Sequence, residues 1–99
     1  MIAAFSITPL GVGESVGDLV SDAVAVVRAS GLPNETNAMF TNVEGDWDEV
    51  MGVIKACVHT VGERAPRVSV VIKLDVRPGA PEGQMAAKVE AIERRQSRE

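Results

Sequence analysis

An α+β fold is what this sequence predicts, and three observations predict it. Two stretches, Ile2–Thr8 and Val68–Val76, alternate their side chains with a period of two, as strands do. Two others, beginning near Ser15 and Asp46, repeat apolar residues every three or four positions, as amphipathic helices do. Between those helical stretches, Asn34–Ala38 and Thr41–Glu44 read as two short extended segments joined by a tight turn near Met39-Phe40.

Taken in order, the first strand places Phe5 and Ile7 on one face and Ala4, Ser6 and Thr8 on the other. Pro9-Leu10-Gly11-Val12-Gly13 should break it, because proline lacks a donor and glycine admits unusual backbone angles. Ser15, with Asp18 three residues on, resembles a capping box. The stripe Val16, Leu19, Val20, Ala23, Val24, Val27 then predicts a helix ending near Ser30-Gly31. Its valines lower helix propensity, so tertiary packing must hold it.

Asp46 with Glu49 repeats the capping pattern ahead of Trp47, Val50, Ile54, Cys57, Val58 and Val61, a helix that closes around Gly62–Ala65. In the last strand Val68, Val70, Ile72 and Leu74 share one face, and Ser69, Val71, Lys73 and Asp75 the other. Arg77-Pro78-Gly79-Ala80-Pro81 is a loop by composition. Gln84–Arg95 is a final helix with Met85, Val89 and Ile92 as its apolar line, followed by a frayed tail over about 96–99.

The first six elements make the split βαβ pattern of a ferredoxin-like βαββαβ sandwich, with an additional C-terminal helix. Both main helices would cover one sheet face. The other face would present Ala4, Ser6, Thr8, Asn42, Glu44, Val71 and Lys73, either to water or to another subunit. Ala4 and Val71 favour a second subunit.

Ninety-nine residues amount to one domain, 1–99, which buries only about two-thirds of its unfolded surface, so association would stabilise it materially. Aromatic residues at 3% leave no base-stacking platform, and a net charge of −4 leaves no basic footprint; both argue against a nucleic-acid partner. A single cysteine, Cys57, makes no disulfide framework and no cysteine-based zinc site, which points to a reducing cytoplasm. No apolar run approaches about 18 residues, so no membrane span is expected.

Several residues could carry chemistry. Glu44, at a strand end beside a helix start, could accept hydrogen bonds from a ligand amine. Equally, it could be an exposed acid or a partner of Lys73 across the sheet. Thr8-Pro9-Leu10-Gly11 leading to Ser15 could cradle an anion or be a capped connection; no phosphate-loop or dinucleotide fingerprint is present. His59 is the only histidine and has no companion at ligand spacing, so no metal site is expected. Cys57 falls on the buried stripe, Asp46 on a helix cap, and Asp75 could pair with Arg77 two residues on. Met39 and Phe40, apolar at a turn, could line a ligand slot or touch a neighbouring subunit.

Four segments in order resemble the small thiamine-binding proteins of the YkoF-like group. They are ITPLG followed by SV and a helix, the hairpin NAMFTNVEGDWDEV, the strand VIKLDVR and the late MAAKVEAIE. The resemblance implies a ferredoxin-like domain assembled as a homotetramer, a dimer of dimers. It also implies non-enzymatic binding of thiamine or its hydroxymethylpyrimidine half, in vitamin supply or salvage. Thiamine is then a ligand, and no catalytic cofactor is implied. Thr8, Ser15, Met39, Thr41 and Glu44 match as pocket residues, with Asn37 added. Phe40 departs from the pattern, since many relatives carry glycine after that methionine, and its ring would narrow or cover the pocket. Two rivals remain: a structural or regulatory oligomer without a small ligand, and a small enzyme using Glu44 as base.

Overall fold

Two helices pack on one face of a four-stranded antiparallel sheet in the computed structural model, which describes residues 1–97. The elements are β1 (Ile2–Leu10), a 3-10 turn (Gly13–Ser15), α1 (Val16–Ala29), β2 (Asn34–Thr36), β3 (Thr41–Glu44), α2 (Trp47–Gly62), β4 (Arg67–Asp75) and α3 (Gln84–Gln96). The βαββαβ sequence is that expected, with α3 as the added helix, and the strands lie in the order β2-β3-β1-β4.

Ala3, Phe5, Ile7 and Val43 of the sheet bury against Leu19, Ala23 and Val27 of α1 and Val50, Ile54, Cys57 and Val61 of α2. Burial follows the predicted stripes in both helices, except that Val16 and Trp47 at their first turns stay exposed. Asp46 starts α2 with the expected capping box: Glu49 N–H donates to Asp46 Oδ1 (2.8 Å) and Asp46 N–H to Glu49 Oε1 (3.1 Å). Ser15 makes no such bond, because Gly13–Ser15 wind into a 3-10 turn in which Ser15 N–H donates to Val12 O (3.2 Å).

The expected break at Pro9 does not occur: β1 runs on to Leu10, with Pro9 opposite Val68. The reason lies in the β1–β3 ladder. The Met1 amino group donates to Gly45 O (2.9 Å) and Gly45 N–H to Met1 O (3.0 Å), which marks a hydrogen-bonded pair. Such pairs alternate in an antiparallel ladder, so Ala3–Val43 and Phe5–Thr41 are hydrogen-bonded too. Odd-numbered residues of β1 therefore point their main chain toward β3, and even-numbered ones toward β4. Pro9 is odd, and pairing with β3 stops at Phe5, so its missing N–H removes no ladder bond. The chain turns instead at Gly11, whose φ of +79° and close approach to Pro66 exclude a side chain.

At the other end, Gln96 belongs to α3 and Ser97 caps it, donating from Oγ to Glu93 O (2.9 Å). Residues 98 and 99 of the expected tail lie outside the described residues. α3 buries none of its residues; Val89 and Ile92 stay exposed, as does Val71 on the sheet face that α1 and α2 leave bare. The radius of gyration, 15.1 Å, exceeds the roughly 13 Å of a globular chain this long, as a peripheral helix requires. Among the described residues no helix is long and apolar enough to cross a membrane, and no three His, Cys, Asp or Glu side chains are placed to hold a metal.

Cys57 is fully buried, its Sγ 3.3 Å from Ala23 O, and burial pushes its thiol up to about 11. A raised value means that the fold favours the neutral thiol. This contribution is complete below the unfolded thiol's value near 9 and is lost as pH rises through about 11. A disulfide reagent at pH 8 should accordingly label Cys57 only at the rate of opening of the α1–α2 layer, and denaturant should restore fast labelling. Fast labelling without denaturant would contradict the packing.

Candidate functional site

Two hollows lie at opposite ends of β1. The first is a notch in the sheet. β1 stays paired with β4 as far as Leu10, whereas β3 leaves it after Phe5, and the departing hairpin tip walls the gap. The hollow is about 220 Å³. Val20, Ala23, Val24 and Val27 of α1 form its apolar floor, and Ser6, Thr8, Thr36, Asn37 and Thr41 bring hydroxyls and a carboxamide.

Asn37 shapes the tip. Its Oδ1 accepts from Met39 N–H and Phe40 N–H, both at 2.9 Å, while its own N–H donates to Phe40 O (2.9 Å). This Asx turn bends the chain away from β1. Met39 then projects outward, 74% exposed, and Phe40 is half-buried at the rim. Inside, the Thr36 and Thr41 hydroxyls share a hydrogen bond of 3.3 Å, and Thr41 is buried.

The second hollow, about 390 Å³, adjoins Glu44. Met1, Leu32 and Pro33 border it, with the acids Asp46, Glu49, Asp75 and Glu82 and the cations Arg77 and Lys88. Glu44 is only 6% exposed, and it neither faces water nor pairs with Lys73. Its Oε2 accepts from Gln84 N–H (2.8 Å) and its Oε1 from Met85 N–H (3.1 Å), so it caps α3 from across the sheet. The helix needs this cap. Gly83, at the N-cap position with φ +82°, has no side chain to supply one, and an anion suits the N-terminal dipole. Asp75 does not pair with Arg77 but with Lys88 of α3, and the hydrogen bond and charge of that ammonium hold its carboxyl below the usual range.

Of the six residues expected to form a pocket, the notch gathers Thr8, Asn37, Met39 and Thr41. Glu44 stands at the other hollow with both oxygens engaged, and Ser15 borders neither. Ser6, Thr36 and the α1 floor join the notch without having been expected there. Pro9 within a period-two run is the available signal, since it marks a strand segment with a missing neighbour.

The sequence matches the family model described as "Thiamine-binding protein" over residues 3–93. The chain belongs to the thiamine-binding protein family. It is similar to the UPF0045 protein Mb1933 of Mycobacterium bovis, 58% identical over 95 residues that cover 95% of this chain and 92% of the relative. The UPF0045 protein sll0230 of Synechocystis is 40% identical, with 94% and 77% covered. Among solved structures, the hypothetical protein MJ1052 of Methanocaldococcus jannaschii superposes with a TM-score of 0.82 at 38% identity, covering 93% of this chain and 94% of that one. A proposed thiamine biosynthesis/salvage protein of Thermotoga maritima superposes with a TM-score of 0.77, covering 90% and 96%; at 17% identity it supports the fold alone.

The Glu44 cap makes α3 sensitive to one side chain. Replacing Glu44 by Ala removes two hydrogen bonds to a charged acceptor and should weaken the docking of α3 by about 2 kcal/mol. Hydrogen exchange should show amides of the first turns of α3 losing protection while those of Phe5 and Val43 keep theirs. Unchanged protection in α3 would mean that the cap does not hold the helix.

Proposed function

We propose that this protein binds the hydroxymethylpyrimidine half of thiamine in the notch, without transforming it, as a step in vitamin supply or salvage. The observation that carries the reading is the notch itself, where Thr8, Asn37, Met39 and Thr41 meet around one small hollow. At about 220 Å³ it is smaller than the roughly 300–1,000 Å³ of drug-sized sites, which suits a single ring better than two linked ones. Hydroxyls can meet the ring's nitrogens and amino group, valines can cover one face, and the Met39 sulfur can swing onto the other.

Among the described residues no acid, histidine, lysine or cysteine lines the notch, so a bound ring meets no side chain suited to general acid–base or nucleophilic work near neutral pH. This supports binding over turnover. Glu44, the base of the rival enzymatic reading, is engaged by α3 at the far end of the sheet.

Calorimetric titration with hydroxymethylpyrimidine should give saturable one-site binding, tighter than that of thiamine. Thr41→Val should weaken it by about 1 kcal/mol, the worth of one hydrogen bond, whereas Glu44→Gln should leave it within error. Phe40→Gly should narrow the difference between the two ligands by opening the rim. Absence of heat with both ligands at millimolar concentration would defeat the reading, and a large loss in Glu44→Gln alone would move the site to the other hollow.

A second reading concerns assembly. The bare sheet face exposes Val71, and α3 beside it exposes Val89 and Ile92, which supports a homotetramer in which these faces are covered. Light scattering at micromolar concentration should give four chains, and Val89→Glu with Ile92→Glu should reduce the mass. A wild-type monomer would sink this reading and leave the ligand reading untouched.

A further inference from the structure

The main chain at Ile7 has no strand partner on its β3 side. By the parity of β1, Ile7 points its N–H and C=O toward the β3 side, as Phe5 does. Continuing the register would put Met39 opposite Ile7, because Phe5 faces Thr41. Met39 does not take that position. Its N–H donates to Asn37 Oδ1, and among the described residues no backbone group of the hairpin tip bonds to Ile7. Ile7 is nevertheless 8% exposed, and the space beside it is the notch. Buried backbone groups are nearly always paired, so a donor and an acceptor left side by side at a cavity mark a place for something that supplies the complement.

We propose that the Ile7 N–H and C=O take the donor–acceptor edge of a flat aminopyrimidine, which occupies the position that a further residue of β3 would fill. The inference rests on the notch being the ligand site and names the group that recognises the ligand there. A pyrimidine carrying an amino group beside a ring nitrogen offers one N–H donor next to one acceptor, the complement of an extended residue's C=O and N–H. The ring then lies in the plane of the sheet, between the α1 valines on one side and the bare face on the other. Asn37 acts as a positioning residue, since its Oδ1 holds Met39 away from Ile7. Recognition by main chain also accounts for a pocket without charged side chains, and it selects for the amino group, whose loss strands a buried carbonyl.

The test uses the full chain, assembled by chemical ligation at Ala56–Cys57, with the hydroxy-acid analogue of isoleucine at position 7. This backbone ester removes the N–H and keeps the side chain. Hydroxymethylpyrimidine should bind the ester roughly three- to tenfold more weakly, the effect of one hydrogen bond. In the unmodified, nitrogen-labelled protein, the same titration should shift the Ile7 amide signal and slow its hydrogen exchange, a readout that does not require the ester to fold. The analogue with hydrogen in place of the amino group should bind at least tenfold more weakly. Saturable binding that leaves the Ile7 amide unmoved, or equal affinity of ester and amide, overturns the inference and spares the ligand reading. No binding of either hydroxymethylpyrimidine or thiamine overturns both.

Discussion

One pairing at the start of the chain, Met1 with Gly45, fixes the parity of β1, and that parity decides most of the architecture. Residues that point their main chain toward β3 are the same ones whose side chains enter the core: Ala3, Phe5, Ile7 and Pro9. A slip by one residue would place Phe5 on the bare face and bring an even-numbered main chain to the notch. It would also turn Pro9 toward β4, where its missing N–H would break a ladder bond. Core, strand length and notch are thus three readings of a single register.

The two ends of the sheet use polarity in opposite ways. At the Glu44 end a buried carboxylate meets two helix N–H groups, and Asp75 meets Lys88, so these two acids are matched within the chain. A group satisfied in this manner has little left for a ligand. At the notch end the hairpin tip satisfies itself through Asn37 and withdraws from β1, leaving main-chain groups unmatched beside a cavity. That contrast is why we propose the smaller hollow as the ligand site.

How much of this was legible in the sequence depends on range. Strand alternation and the helical stripes predicted β1, β4, α1 and α2, and the core residues of β1, α1 and α2, because each is a local consequence of which face is buried. At the edge strand β4, Val68, Val70 and Leu74 are only half-buried and Ile72 is exposed. The Asp46–Glu49 box was equally local and formed as expected. Ser15 looked similar, but Gly13 allowed a 3-10 turn that took the same backbone groups into different bonds. Glu44 was recognised as unusual, yet its partners lie 40 and 41 residues away at a helix start, and no spacing rule links them. The split of the expected pocket residues between two hollows has the same origin. Thr41 stands opposite Phe5 beside the notch, whereas Glu44 stands opposite Ile2 at the other end of β1.

In the two readings we propose, the notch would tie ligand to assembly. It is bordered by Ser6 and Thr8, whose side chains stand on the bare face, as well as by Ile7 and the α1 valines on the covered face, so it passes through the sheet. In the tetramer we propose, a neighbouring subunit on the bare face would close one mouth and exclude water from the Ile7 main chain, strengthening its hydrogen bonds. A ligand that binds better to the assembled state must, by linkage, favour assembly to the same degree. Phe40, half-buried at the rim, narrows the opening. A bulky residue is tolerable there only if the ligand is small, which is what a notch sized for one ring requires.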